Sequence, residues 1–275
     1  MSAMDVRPTS IESPLPEAAQ VHRRSGLQRT LNMVRFELGL LVRQRTSLLA
    51  VLVVPIAILG YPLIIKPQTP DMWRALMAPM TVLVMVFSVY YTAASIVATR
   101  RQLQVFKRLR TSELTPVQML TALTLPLVLV GVVQALIVVG GMVVLGAPAP
   151  RSIALLALAV ITTAILSVTC GLAVGALAPS SERVQYTAMP LLMLTAILAN
   201  LLVGLGAHGW HSYLLFAPFM GAVDLVARGS GLSEQLLVAT PLPVSPVVFD
   251  VVMMIFWAVV AAFVTTVSWR WEPRN

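Results

Sequence analysis

The chain is poor in charge, in cysteine and in lysine. Charged residues make up 11% of its 275 positions, against about 25% in a soluble domain, so a soluble globular fold is excluded. The single cysteine, Cys170, excludes a disulfide framework within the chain and reads, inside an apolar run, as a small buried hydrophobe. The only lysines are Lys66, followed by Pro67, and Lys107, followed by Arg108. Neither completes the G-x-x-x-x-G-K-[ST] loop whose lysine neutralises phosphates, so the chain carries no P-loop ATPase of its own. H-E-x-x-H and G-x-S-x-G are also missing, and no catalytic residue is assigned. His208 and His211 lack carboxylate or thiol neighbours, so no metal site is expected. The N-terminal residues contain no apolar core of a secretory signal peptide.

What is present is apolar sequence in long runs. Hydrophobic residues reach 58% and the mean hydropathy is +0.87. The runs do not alternate as barrel strands do, and several exceed the ~18–20 residues that cross a bilayer as helix. The expected fold is all-α: a polytopic membrane protein with six transmembrane helices. Hydropathy places them at about Ser47–Ile65, Trp73–Ala98, Val117–Leu145, Ile153–Leu177, Tyr186–Leu205 and Pro246–Ser268. Pro55, Pro79, Pro126 and Pro190 are candidate kinks. Trp73, Trp269 and Trp271 fall at expected interfaces. The run Tyr213–Ala227 is too short to cross and contains Pro218 and Asp224. It reads as a pair of short re-entrant or interfacial helices before the last span.

The remaining segments are amphipathic or polar. Residues 1–26 read as a disordered cytoplasmic tail, 27–270 as one membrane domain and 271–275 as a cytoplasmic C-terminus. Leu27, Leu31, Val34, Leu38 and Leu41 form one stripe, with most arginines off it, so Leu27–Arg45 reads as an interfacial helix. Between the second and third spans, residues 100–114 place Leu103, Phe106, Leu109 or Arg110, and Leu114 at helical spacing. Arg100, Arg101, Lys107, Arg108 and Arg110 surround that face. Two readings are open from these residues alone: a helix that docks on a soluble partner, and a helix that rests on the membrane surface. Fifteen Lys and Arg fall on the side of this loop and of both termini, and four on the other, Lys66, Arg74, Arg151 and Arg228. That bias puts both termini in the cytoplasm. The net charge of +8 is explained by topology and anionic lipid, not by nucleic acid. The excess of arginine over lysine fits a GC-rich bacterial genome.

By these boundaries the spans hold almost no ionisable residue, and Gln134 and Asn200 are the strongest polar groups inside them. Ion-coupled carriers place ionisable groups within their spans. If this bundle moves a solute uphill, the energy comes from another subunit, and the amphipathic loop is the natural contact. Gly171 and Gly175 form a GxxxG pair on the fourth span, suited to close helix packing.

Three segments carry a family resemblance. FKRLRTSELTPVQML (Phe106–Leu120) resembles the segment of type-2 ABC exporter permeases in which a cytoplasmic coupling helix leads into the third span. GLAVGALAPSSERVQ (Gly171–Gln185) is similar to that family's end of the fourth span. YLLFAPFMGAVDLVARG (Tyr213–Gly229) resembles its outer segment before the last span. The likeness runs from about Leu27 to Arg270. The family's acidic residues and glycine before K-R-L are replaced by Arg100, Gln102 and Gln104, and its Thr-Pro is displaced to Thr115-Pro116. This departure implies a contact tuned to a particular ATPase.

The resemblance implies the permease subunit of a bacterial ABC exporter in the cytoplasmic membrane, of the drug or antibiotic type. It implies two ATP-binding subunits, with ATP and Mg on those partners and no cofactor in this chain, and a second permease copy or paralogue. Arg101, Leu103, Phe106, Lys107, Arg108, Leu109 and Arg110 become the ATPase-coupling residues. A substrate path lined by the second and fifth spans makes Met77, Met80, Met85, Phe87, Met189, Met193 and Asn200 its candidates, with ordinary span packing the alternative for each methionine. An ATP-independent facilitator or scramblase, or a regulatory membrane subunit, is the rival reading.

Overall fold

A computed structural model describes residues 32, 34–35, 39, 45–103, 116–204 and 209–269. Within Leu27–Arg45 it shows Asn32, Val34, Arg35, Gly39 and Arg45, all helical. The rest of that interfacial segment, the tail, residues 104–115 and residues 270–275 lie outside the described residues. Among the described residues the regular elements are all helical. They are α1 (Arg45–Ile65), α2 (Pro70–Met85), a π-helical turn (Val86–Tyr90), α3 (Tyr91–Gln102), α4 (Pro116–Val144), α5 (Ile153–Leu177), α6 (Val184–Gly204), a 3-10 helix (Gly209–Phe216), α7 (Met220–Ser230) and α8 (Pro246–Ser268).

The chain punctuates these helices with ordinary signals. Thr69 caps α2 by accepting from the Met72 N–H, and Pro70 follows at a position whose missing N–H costs nothing. Ser152 caps α5 in the same way through the Leu155 N–H. Gly231 ends α7 at φ +84°, a left-handed conformation that glycine adopts without strain. The helices run on through Pro55, Pro79, Pro126 and Pro190.

Among the described residues, five helices are long and apolar enough to cross a membrane: Pro70–Gln102, Thr121–Val144, Ile153–Leu177, Val184–Gly204 and Pro246–Ser268. Six spans were expected. α1 supplies a shorter apolar stretch, Leu52–Ile65. The second span is longer than hydropathy suggests, because α2 passes through the π turn into α3 and carries Arg100 and Arg101 inside the helix.

The short α7 is surrounded. It packs on α2, α5, α6 and α8, and every residue in it except Arg228 is buried. The turn before it is tight: Phe219 takes φ +67°, which is strained for a bulky residue, and is only 1% exposed. Trp257 Nε1 of α8 donates to the Phe216 carbonyl at 2.8 Å and holds the preceding 3-10 helix against the last span. This is the paired short-helix arrangement read from Tyr213–Ala227; protein surrounds α7, whereas Trp210, Tyr213 and Phe216 of the 3-10 helix are exposed.

Several buried threonine hydroxyls are satisfied within their own helices, whereas the buried Ser167 hydroxyl of α5 meets no partner among the described residues. Thr81 donates to Met77 O, Thr195 to Leu191 O and Thr265 to Ala261 O, each at 2.8 Å. Helices approach closely at the GxxxG pair. A Cβ on Gly171 would lie 2.5 Å from Tyr90 O and 2.6 Å from Ala93 Cβ, and one on Gly175 would lie 2.7 Å from Ala94 O. Gly140 of α4 meets nothing within 4 Å. Gly171→Ala is therefore expected to destabilise the fold by about 1–3 kcal/mol through overpacking. Gly140→Ala should be neutral, or stabilising by up to about 1 kcal/mol through helix propensity. Thermal unfolding in one detergent distinguishes the two.

Candidate coupling site

α3 ends at Gln102, and the next residue, Leu103, is 64% exposed. One residue earlier the direction is opposite: Arg101 is turned inward and only 2% exposed. Its guanidinium donates through Nη1 to the Ala176 carbonyl at 2.9 Å and through Nη2 to the Ala178 carbonyl. These are carbonyls of the last turn and C-cap of α5, a helix end that has no basic residue of its own. Helix C-termini carry unsatisfied carbonyls and partial negative charge, so a cation is favoured there. Arg101 supplies it from a neighbouring helix, and its planar fork suits two acceptors at once.

The same corner is closed by smaller groups. Ser181 Oγ donates to Gln102 Oε1 at 2.5 Å, across the α5–α6 connection. Ala94, Ala98, Ala178 and Val184 form one buried cluster at this end. Higher up, the Tyr90 hydroxyl donates to the Ala188 carbonyl of α6 at 3.0 Å. With the GxxxG contact, α3, the end of α5 and the start of α6 form one close-packed corner, and Leu103 lies at its edge.

The other proposed contact residues divide by position. Leu103 is exposed beside the corner, whereas Phe106, Lys107, Arg108, Leu109 and Arg110 lie outside the described residues. Arg101 was read from sequence as part of a partner-facing surface; the structure places it inside the bundle, where it ties helices together.

The path residues also separate. Met77, Met80 and Met85 are buried in the core of the chain, whereas Phe87, Met189 and Met193 are exposed. Asn200 is exposed and returns its amide to Ala196 O at 2.8 Å. On α6, Tyr186, Met189, Met193, Ile197, Asn200 and Gly204 follow at steps of three and four and form one exposed stripe. An open groove lies at its far end, lined by Ala196, Ile197, Asn200, Leu201 and Gly204.

At the opposite end of the bundle sits a polar layer that the sequence reading did not anticipate. Asp71 accepts from Ser233 at 2.5 Å and from Arg74 at 3.4 Å. The Ser152 N–H donates to Gly229 O at 2.9 Å. Arg228 Nε meets Asp224 Oδ2 at 2.6 Å, and its Nη2 donates to Val238 O at 2.8 Å. Asp250 lies inside the last span and is fully buried, which corrects the reading of Gln134 and Asn200 as the strongest polar groups within the spans. The signal was visible as a lone aspartate in the first turns of an otherwise apolar run, at the helix end where a carboxylate is best tolerated.

Residues 28–227 match the family described as ABC-2 type transporter. The chain belongs to this family. The match starts at the interfacial segment and ends in α7, so it spans the coupling corner and the short helix. No curated protein matches the chain in sequence. Membership makes this chain the membrane component of an ABC transporter, a permease subunit that works with an ABC ATP-binding subunit.

Within that family setting the Arg101 corner is open to direct measurement. Arg101→Ala removes two charge-assisted hydrogen bonds and leaves two buried carbonyls without their donor, so a loss of roughly 3 kcal/mol is expected. Arg101→Lys keeps the charge but not the fork and should recover only part of it. Thermal unfolding of the two variants checks this order.

Proposed function

We propose that the chain is the permease subunit of an ATP-driven exporter of the bacterial cytoplasmic membrane, moving an amphiphilic substrate, such as a drug, an antibiotic or a lipid-like molecule, outward. ATP and Mg are used by separate subunits, two per assembly, that face the Arg101 end. A second permease, the same chain or a paralogue, completes the membrane unit across the exposed α6 stripe. Both termini lie in the cytoplasm, on the side where the basic residues concentrate.

The observation that carries this reading is the inward Arg101 beside the outward Leu103. A push on residues 104–115 reaches α3 at Leu103 and passes through Arg101 and the GxxxG contact to α5, and from there to the start of α6. The π turn at Val86–Tyr90 separates this corner from α2, and such turns occur at functional points of helices. Movement of the corner against α2 shifts Phe87 and the Met189–Met193 face of α6 relative to the rest of the bundle. Methionine surfaces repack around varied apolar molecules, which suits a path for amphiphiles.

The test is purification in mild detergent from a native membrane, followed by identification of bound proteins. A co-purifying subunit with a Walker A motif is expected, and the double variant Phe106→Ala, Arg108→Glu should lose it. Arg101→Lys should retain that subunit yet hydrolyse ATP with reduced transport. A chain that purifies alone and moves amphiphiles without ATP would replace this reading with a facilitator or scramblase.

A further inference from the structure

The last span and the buried short helix meet through acidic residues. Gly221 of α7 lies against the backbone of Asp250, where an added Cβ would sit 2.9 Å from Asp250 O and 3.0 Å from its Cα. One turn further along α7, Asp224 faces the same helix, and the two carboxyl groups lie within hydrogen-bonding reach of each other. Asp224 is already engaged by Arg228. Asp250 is fully buried, and neither of its oxygens meets a donor.

Charge and hydrogen bonding point to the same deficit. Two carboxylates and one guanidinium leave one negative charge in a cluster that includes Met220, Val223, Phe249 and Met254. An uncompensated charge is strongly disfavoured in such surroundings. Two carboxylates are also acceptors only, so contact between them repels unless one carries a proton.

The other ionisable groups around the pair do not relieve it. Arg74 of α2 is engaged by Asp71, which also accepts from Ser233. α5 and α6 contribute no charged side chain, only Cys170 and Tyr186. The 3-10 helix carries His211 and Tyr213, and Glu234 in the following segment adds further negative field at Asp224. Among the described residues no group of three acidic, His or Cys side chains stands together to hold a metal ion.

We propose that Asp224 and Asp250 form a proton-binding site, in which one shared proton joins the last span to the buried short helix. The proton is covalently held by one carboxyl oxygen and accepted by the other carboxylate. The remaining single negative charge is balanced by Arg228, whose second hydrogen bond extends the network to Val238. Loss of the proton sets two carboxylates against each other and loosens α8 from α7. Any opening that parts these helices at this end of the bundle is therefore linked to proton uptake or release.

The test needs neither ATP nor transport, so it stands apart from the exporter reading. Infrared spectra of the purified full chain in lipid at neutral pH are compared with those of Asp250→Asn, which keeps a hydrogen-bond donor at the site. The expected result is a protonated-carboxyl band in the wild type that disappears in the variant. A band that is absent from the wild type, or unchanged in the variant, overturns the proposal. If Asp250→Asn does not fold, labelling of the wild type with an apolar carbodiimide and peptide mass spectrometry decides. Modification of Asp250 or Asp224 that falls in alkaline buffer supports the site, and two unmodified carboxyls overturn it.

Discussion

The attachment of α3 to α5 is the constraint on which the coupling account depends. Two glycines allow the backbones to touch, and at the end of the contact a guanidinium caps a helix that has no basic residue of its own. In a bilayer, apolar burial does not drive helices together, because lipid is as apolar as leucine. Close van der Waals packing and satisfied polar groups do so instead. The α3–α5 contact has both. Arg101 is also the last buried residue before residues 104–115, where the coupling contact is proposed.

The two ends of the bundle solve the polar problem differently. At the Arg101 end one cation answers carbonyl oxygens. At the other end carboxyl groups, arginines, serines and backbone carbonyls interlock around α7, a helix too short to span and buried from several sides. Such a helix holds its polar groups at depth only because α2, α5, α6 and α8 shield it from lipid. Its one near-surface residue, Arg228, reaches both Asp224 and the loop at Val238. Movement of this end must then break or carry these contacts.

Much of the fold was legible because apolar runs and caps are local signals. α5 and α8 begin and end where hydropathy placed them, α4 and α6 within two residues, and the Pro218–Asp224 interruption pointed to short helices. The end of the second span was not legible. Arg100 and Arg101 look like loop residues by hydropathy, yet a helix continues through them because Arg101 finds carbonyl partners on α5, a non-local fact. The π turn left no trace, since Val86–Tyr90 is an ordinary apolar stretch in sequence. For the candidate path, composition could select methionines but not sides: Met77 and Met85 face the core and Met189 and Met193 face outward, a difference set by packing. Asp250 was written in the sequence, but its partner Asp224 lies on a separate helix and only the fold brings them together.

The central claim is that α3 and α5 move as one body when the coupling segment is pushed. Pulsed electron resonance distances between spin labels at Leu103 and Leu177, in a Cys170→Ala background and with the ATP-binding partner present, test it most directly. A second pair at Leu103 and Met72 reports motion across the π turn. The account predicts that ATP shifts the Leu103–Met72 distance and leaves the Leu103–Leu177 distance unchanged. A Leu103–Leu177 distance that changes with ATP would contradict it.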